Sequence, residues 1–464
     1  MTIEARTKMP MNADDLCYCG VHELAARIQR REISSVEIVD AYLRRIEALN
    51  PRLSAYLTLT AESAREEALR ADTEIAAGRW RGPLHGIPYG VKDIFETKGV
   101  RTTHGSSFFR DFVPDRDAES ITRLRNAGAI MLGKTLTHEF AAATTTINPH
   151  FGTAHNPWNL DCITGGSIRN PAALCGVVGF KPTHGRISLV GVCPNVMTFD
   201  HVGSLTHTAR DAALVLQTLA GYDARDAASR DVAVPDYGES GERGVDGMRL
   251  VLCPDFYMNA EVDGEVEHAF ADAVRAFRSL GAKVETVSFK NGKRLTDLFP
   301  AIAGPEFAEF HRPFYEKNPD GYGASVRERL EWSLKVTSDE YVRGLREREL
   351  LRREVADFFR GADALLLPSM PCTAPRIDSL MAMVNGKEYP CMWIHRPFQS
   401  PHNLTGCPAA SLPMGFNREG MPLSVQIVGP EWSDGRILGI ASAYEAATPE
   451  IRARRAPCAQ PISS

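Results

Sequence analysis

At 464 residues the chain is long enough to bury a large core, and 44% hydrophobic with 24% charged residues is ordinary globular composition. A net charge of −5 supplies no broad basic field, which argues against nucleic acid or an anionic membrane surface as a partner. No run of about 18 uninterrupted apolar residues is present, so no transmembrane helix is expected. Met1 to Asp15 carries several charges and no apolar core, unlike a secretory signal. The ten cysteines show no metal-type spacing, and Cys17-x-Cys19 is too close for a usual zinc pair, so packed, reduced thiols in a cytoplasmic protein are expected.

In chain order, the first hundred residues read as mostly helical. Val36, Val39, Tyr42, Leu43, Ile46 and Leu49 share one apolar face, Ser34 with Glu37 forms a capping box, and Asn50-Pro51 is expected to end that helix. From Gly82 to about Asp223, short strands and helices are joined by glycines. Ile121 and Leu124 belong to a helix closed by Gly128, and Ala129–Leu132 reads as a buried strand. A polar stretch from Asp223 to Val245 reads as a surface loop. Leu250–Cys253 is then a strand. Val266, Phe270, Val274 and Phe277 line a helix capped by Gly281, and Val284–Val287 is the next strand. A long helix from about Ser338 to Phe359 precedes a strand at Leu365–Leu367. Alternation of this kind predicts an α/β fold, a single large domain whose twisted, mixed sheet is covered by helices on both faces.

Two segments stand out chemically. In Gly86-Ile87-Pro88-Tyr89-Gly90-Val91-Lys92-Asp93 a lysine follows an apolar run. Taken alone it is either a snorkelling surface residue, the default, or a buried amine with a depressed pKa. In Thr164-Gly165-Gly166-Ser167-Ile168-Arg169-Asn170-Pro171 two glycines let the backbone turn several N–H groups toward one point, as an oxyanion hole requires, although a lone Gly-Gly-Ser is more often a plain turn.

In order and with their flanks, the two segments resemble the catalytic blocks of the amidase signature family. Gly82-Pro83-Leu84-His85-Gly86-Ile87-Pro88 through Lys92-Asp93 is similar to the first, and Gly165-Gly166-Ser167 through Lys181-Pro182-Thr183 to the nucleophile block. Asp200–Gly203, Asn403–Ala409 and Gln426–Gly429 extend the likeness over nearly the whole chain. The resemblance implies a serine hydrolase of amides, with Lys92 as general base and Ser167 as nucleophile. Backbone N–H groups of Thr164, Gly165 and Gly166 would stabilise the oxyanion, with Arg169 as structural support. It implies no metal and no cofactor, a small-molecule amide as substrate, no nucleic acid, no membrane, and a possible homodimer. The chemistry needs a neutral lysine, because a serine hydroxyl is inert until a base takes its proton, and the ordinary lysine pKa is about 10.4. Within the single domain, 1–81 would be N-terminal helices, 82–223 the catalytic core, 224–400 a variable pocket-lining part, 401–448 the return to the core sheet and 449–464 a tail.

The sequence departs from the family in one place. Members carry two Gly-Gly-Ser loops separated by a helix and a strand, and the first holds a second serine, in a cis peptide, that relays the proton. Here one loop has the left flank of the first and the right flank of the second, as a deletion between direct repeats leaves it, and Ile163 replaces an acidic residue. The expectation is a family-like architecture in which Lys92 reaches Ser167 directly or through water, with activity reduced or lost. Two other readings share the motifs: the glutamine-hydrolysing component of a glutamine-dependent aminoacyl-tRNA amidotransferase, and a catalytically impaired pseudo-enzyme. Elsewhere the bland reading leads. His138-Glu139 lacks the second histidine of a zincin. Cys162, Cys175 and Cys193 read as small packed thiols rather than nucleophiles served by His184 or His201. Lys134 and Lys181 read as structural. Met381, Met383, Tyr389, Trp393 and Phe398 fit a pocket or a core equally.

Overall fold

The computed structural model describes residues 13–238, 244–258 and 260–459. Among these, no helix is long and apolar enough to cross a membrane. No disulfide links the cysteines, and all of them but Cys175 are buried. The N-terminal residues read above as lacking a signal, and part of the loop to Val245, lie outside the described residues.

The described residues include fourteen strands: β1 (Tyr56–Leu59), β2 (Pro88–Lys92), β3 (Ile130–Thr135), β4 (Ile147–Asn148), β5 (Gly152–Thr153), β6 (Val178–Lys181), β7 (Ser204–Thr206), β8 (Arg249–Leu252), β9 (Lys283–Thr286), β10 (Ala364–Pro368), β11 (Met381–Val384), β12 (Lys387–Pro390), β13 (Ala409–Phe416) and β14 (Pro422–Val428). The α/β expectation holds, but the sheet is in two pieces. Strands β1-β3-β2 form one sheet and β7-β6-β13-β14-β10-β8-β9 the other, with β4-β5 and β11-β12 as separate hairpins. The larger sheet is mixed: β8 runs parallel to β9 and β10, and the remaining pairs are antiparallel.

Side-chain alternation along β13 and β14 decides what each face carries. Ala410, Leu412, Val425 and Ile427 are fully buried on one face, in the main hydrophobic cluster with Phe277 and Tyr444, whose rings stack 4.9 Å apart. Those rings belong to helices Gly264–Ser279 and Asp434–Ala447, which pack on these strands. Ser411, Ser424 and Gln426 lie on the opposite face, and there the short helix Arg169–Cys175 docks: Ser424 Oγ donates to the carbonyl of Ala173 at 3.4 Å.

Local signals mostly act as read. The helix Ser35–Leu53 starts at a complete capping box between Ser34 and Glu37. It does not stop at Asn50-Pro51 but runs to Leu53 and ends on a left-handed Ser54, whose amide bonds the Asn50 carbonyl. A proline so near the C-terminus forfeits one backbone bond while the final turn is still closed behind it. The helix Glu119–Asn126 is followed by Gly128 at φ +80°, and the strand after it is β3.

Gly179 in β6 sets how closely the Arg169–Cys175 helix approaches the sheet. A β-carbon there would lie 2.6 Å from Ala172 Cβ and 2.7 Å from the Ile168 carbonyl oxygen, both nearer than atoms can sit. Gly179→Ala is therefore expected to cost about 1–3 kcal/mol through overpacking, read as a lower guanidinium midpoint. An unchanged midpoint would mean that the helix is free to move away.

Candidate active site

Lys92 is the last residue of β2, the edge strand of the smaller sheet. Its neighbours hold that strand end rigidly. Buried Asp93 accepts from the amide and hydroxyl of Thr103 at 3.0 and 2.5 Å. Lys134, on β3, donates to Phe95 O at 2.5 Å, Thr102 Oγ1 at 2.9 Å and Thr97 Oγ1 at 3.1 Å. Burial lowers both lysines to a pKa of about 8. Only one of the two amines meets a hydroxyl that could serve as nucleophile: Lys134 is saturated by structural acceptors, whereas Lys92 Nζ lies 3.1 Å from Ser167 Oγ.

Ser167 is exposed at the end of the Gly-Gly turn. Gly165 has φ +93°, a left-handed conformation that glycine adopts without cost. Thr146 fastens the turn, accepting from Thr164 Oγ1 at 2.7 Å and donating to the Gly165 carbonyl at 3.2 Å. The amides of Gly165, Gly166 and Ser167 meet no backbone acceptor among the described residues. Two residues on, buried Arg169 donates to Gln426 Oε1 and Asn403 Oδ1, both at 2.5 Å, and to the Gln399 carbonyl at 3.1 Å.

Sequence reasoning missed two contributors. Asp200 is half-buried, desolvation raises its carboxyl to about 6, and it accepts from the amides of Asn195 and Val196 at 2.8 and 3.0 Å. Its charge opposes the burial that lowers Lys92, as does Cys193. Asp200 sat in a matched segment, yet nothing in the sequence aimed it at Lys92. Thr146 stood in a Thr-Thr-Thr run without any signal of its own. The lysine expected to be structural at 181 is so placed: it donates to the Cys407 carbonyl at 2.5 Å and contacts His201 Nε2 at 3.2 Å. His138 is buried and lowered to about 4 by that burial, and no group of residues among those described could hold a metal.

An α/β fold that presents a lysine amine to a serine on a glycine turn defines a class of carbon–nitrogen hydrolases. The chain belongs to the amidase family, the amidase signature enzymes, whose model matches residues 37–167 and 164–438. The two matches share residues 164–167, so the single Gly-Gly-Ser is read once as the end of one block and once as the start of the next. A relative in Geobacter sp. (strain M21), the A-type component of glutamyl-tRNA(Gln) amidotransferase, is 35% identical over 92% of this chain and 97% of that protein. Among solved structures the chain is similar to one from a vestigial protein complex described as revealing the origins of an s-triazine catabolic enzyme. There the TM-score is 0.88 and the identity 28%, over 93% of this chain and 98% of that one. It is also similar to 6-aminohexanoate cyclic dimer hydrolase bound to substrate, with TM-score 0.85 and 26% identity over 96% and 100% of the two chains.

These relatives correct one expectation. A chain that meets only a small amide, with no nucleic acid and at most a second copy of itself, does not fit a relative whose name carries both a tRNA and a place in a multi-chain enzyme. Net charge was the wrong guide, because −5 averages over a surface on which local patches decide association.

Removing the Arg169 guanidinium leaves buried Gln426 Oε1 and half-buried Asn403 Oδ1 without that donor. Arg169→Leu is expected to cost at least about 3 kcal/mol, since each bond to a charged donor is worth roughly 1.5–3 kcal/mol. Urea unfolding of the two proteins checks this, and a loss under about 1 kcal/mol, the worth of one ordinary hydrogen bond, would contradict it.

Proposed function

We propose that the chain cleaves a primary carboxamide through a serine acyl-enzyme and releases ammonia. Ser167 Oγ attacks the carbonyl while Lys92, in its neutral form, takes the hydroxyl proton. The oxyanion lies against the amides of Gly165 to Ser167. The carbon–nitrogen bond breaks as the amine receives that proton, so ammonia departs and the acyl group stays on Ser167. Water then attacks the ester, returning the serine hydroxyl and a carboxylate. The observation that carries this reading is the 3.1 Å contact between Lys92 Nζ and Ser167 Oγ, made by an amine whose pKa burial lowers to about 8. No second serine is needed at that distance.

The curated relative favours a setting for this step. We read the chain as the ammonia-releasing component of an amidotransferase-like assembly, with glutamine as donor and a glutamyl-tRNA held by partner chains as acceptor. A second reading, a hydrolase acting by itself on a small amide, is favoured by the TM-score of 0.85 to the cyclic dimer hydrolase. The single Gly-Gly-Ser is read in both as the fusion of two loops, which the shared 164–167 match supports.

Ammonia release from glutamine and from simple carboxamides, followed between pH 6 and 10, tests the proposal. The rate should climb as Lys92 loses its proton, with a midpoint near 8, and level off above it. Lys92→Met should lose at least roughly 100-fold in kcat at pH 8.5. A variant as fast as the parent, or a rate that falls as pH rises through 8, would overturn it.

A further inference from the structure

A cavity of about 510 Å³ opens between the helix Arg396–Leu404, the short helix Cys391–Ile394 and the helices Gly292–Asp297 and Phe299–Lys317, and Thr296, Pro300, Trp393 and Arg396 are among its lining residues. That volume suits a small molecule. The Arg396 guanidinium carbon lies 4.0 Å from the Trp393 ring centre and 5.4 Å from that of Phe299. Aromatic rings thus flank the guanidinium, whose N–H groups, lying in one plane, suit a carboxylate with two parallel bonds.

Among the described residues Arg396 has no carboxylate within 4.0 Å and no hydrogen-bond acceptor. Every other feature of the cavity wall leaves it so. Asp297, in the same wall, is engaged by Lys293. Arg396 acts on a neighbouring cation, Arg329, and lowers its pKa. Thr296 Oγ1, 9% exposed, is a second polar group here without a hydrogen-bond partner among the described residues. A half-buried guanidinium beside a buried, unpaired hydroxyl is a donor set that a carboxylate satisfies.

The cavity is mechanically tied to the Ser167 loop. Met392, on the same short helix as Trp393, places its sulfur 3.9 Å from Thr144 Oγ1, and Thr144 lies against Gly166. Arg169 bonds Gln399 O and Asn403, both on the helix that Arg396 begins. The walls of the cavity and the turn that carries the serine are thus joined through Met392 and Arg169.

We infer that this cavity takes the carboxylate end of the substrate, with Arg396 as its cation, Trp393 stacked behind it and Thr296 as a further donor, so that the preferred amides bear a carboxylate. Calling the bound molecule a substrate rests on the proposed function; binding of the carboxylate does not.

Calorimetric titration of the whole chain with succinamate, a carboxamide ending in a carboxylate, and with neutral butyramide tests the inference without requiring turnover. Succinamate should bind, and Arg396→Gln should weaken it roughly 10- to 100-fold, the worth of a charged hydrogen-bond pair. Arg396→Lys should recover part of the loss, and Thr296→Val should weaken binding a few-fold. Butyramide should bind all four proteins alike. Equal affinity of succinamate for the parent and Arg396→Gln, or no saturable succinamate binding at all, would overturn the inference. Arg396-dependent binding in a chain that releases no ammonia would leave it standing and remove the catalytic reading instead.

Discussion

Lys92 and Ser167 stand against two different sheets, and the proposed chemistry depends on the 3.1 Å contact that joins them. Lys92 ends the edge strand of a three-stranded sheet, while Ser167 precedes a helix docked on a seven-stranded one. No ladder spans the two among the described residues, and an isolated bridge between Phe95 and Val192 is the main-chain pairing that crosses near Lys92. Position is therefore held by side chains. Asp93 and Lys134 fix the lysine's strand end, and Arg169 pins the serine's helix to β14 and to the helix that starts at Arg396. Burial serves two ends in this arrangement: it makes those polar bonds strong, and it strips water from the Lys92 amine so that its neutral form is reachable near pH 8.

β2 is an edge of the smaller sheet, and its exposed side is covered by side chains instead of by a ladder. Val91 on β2 is covered by Ala118, Ile121 and Met131 in a small cluster of their own. The larger core keeps its continuity, from Val178 in β6 to Ala282 beside β9. In the proposed chemistry Ser167 meets Lys92 directly. The proton's path is one contact long.

Much of the fold was legible because the elements are amphipathic at the right period. The capping box at Ser34, the helix ended by Gly128 and the apolar run into β3 all act locally, and each was read from a few residues. Pro51 misled because its cost depends on how many turns follow it, a property of the finished helix. Sheet order was illegible, since β13 and β14 meet β6 and β10 through contacts more than 200 and about 60 residues away in sequence. At the site, Lys92 and Ser167 were found through their flanks, never from their own types. Thr146 and Arg396 were not found at all, and Asp200 only as part of a matched segment, because what matters about each is the space around it. Trp393 had been offered as pocket or core in equal measure, and 57% exposure beside a cavity decides between them. Partners were misjudged because total charge says little about the faces through which chains meet.

The central claim is that one glycine turn and one lysine suffice to activate Ser167. Intact mass after treatment with a fluorophosphonate, followed by peptide mapping, tests it most directly, because such a reagent adds to a serine only when a base and an oxyanion site activate it. The account predicts one adduct per chain, on Ser167, and its disappearance in Lys92→Met. A folded, monodisperse parent chain that takes up no label, or takes it on another residue, would contradict the account.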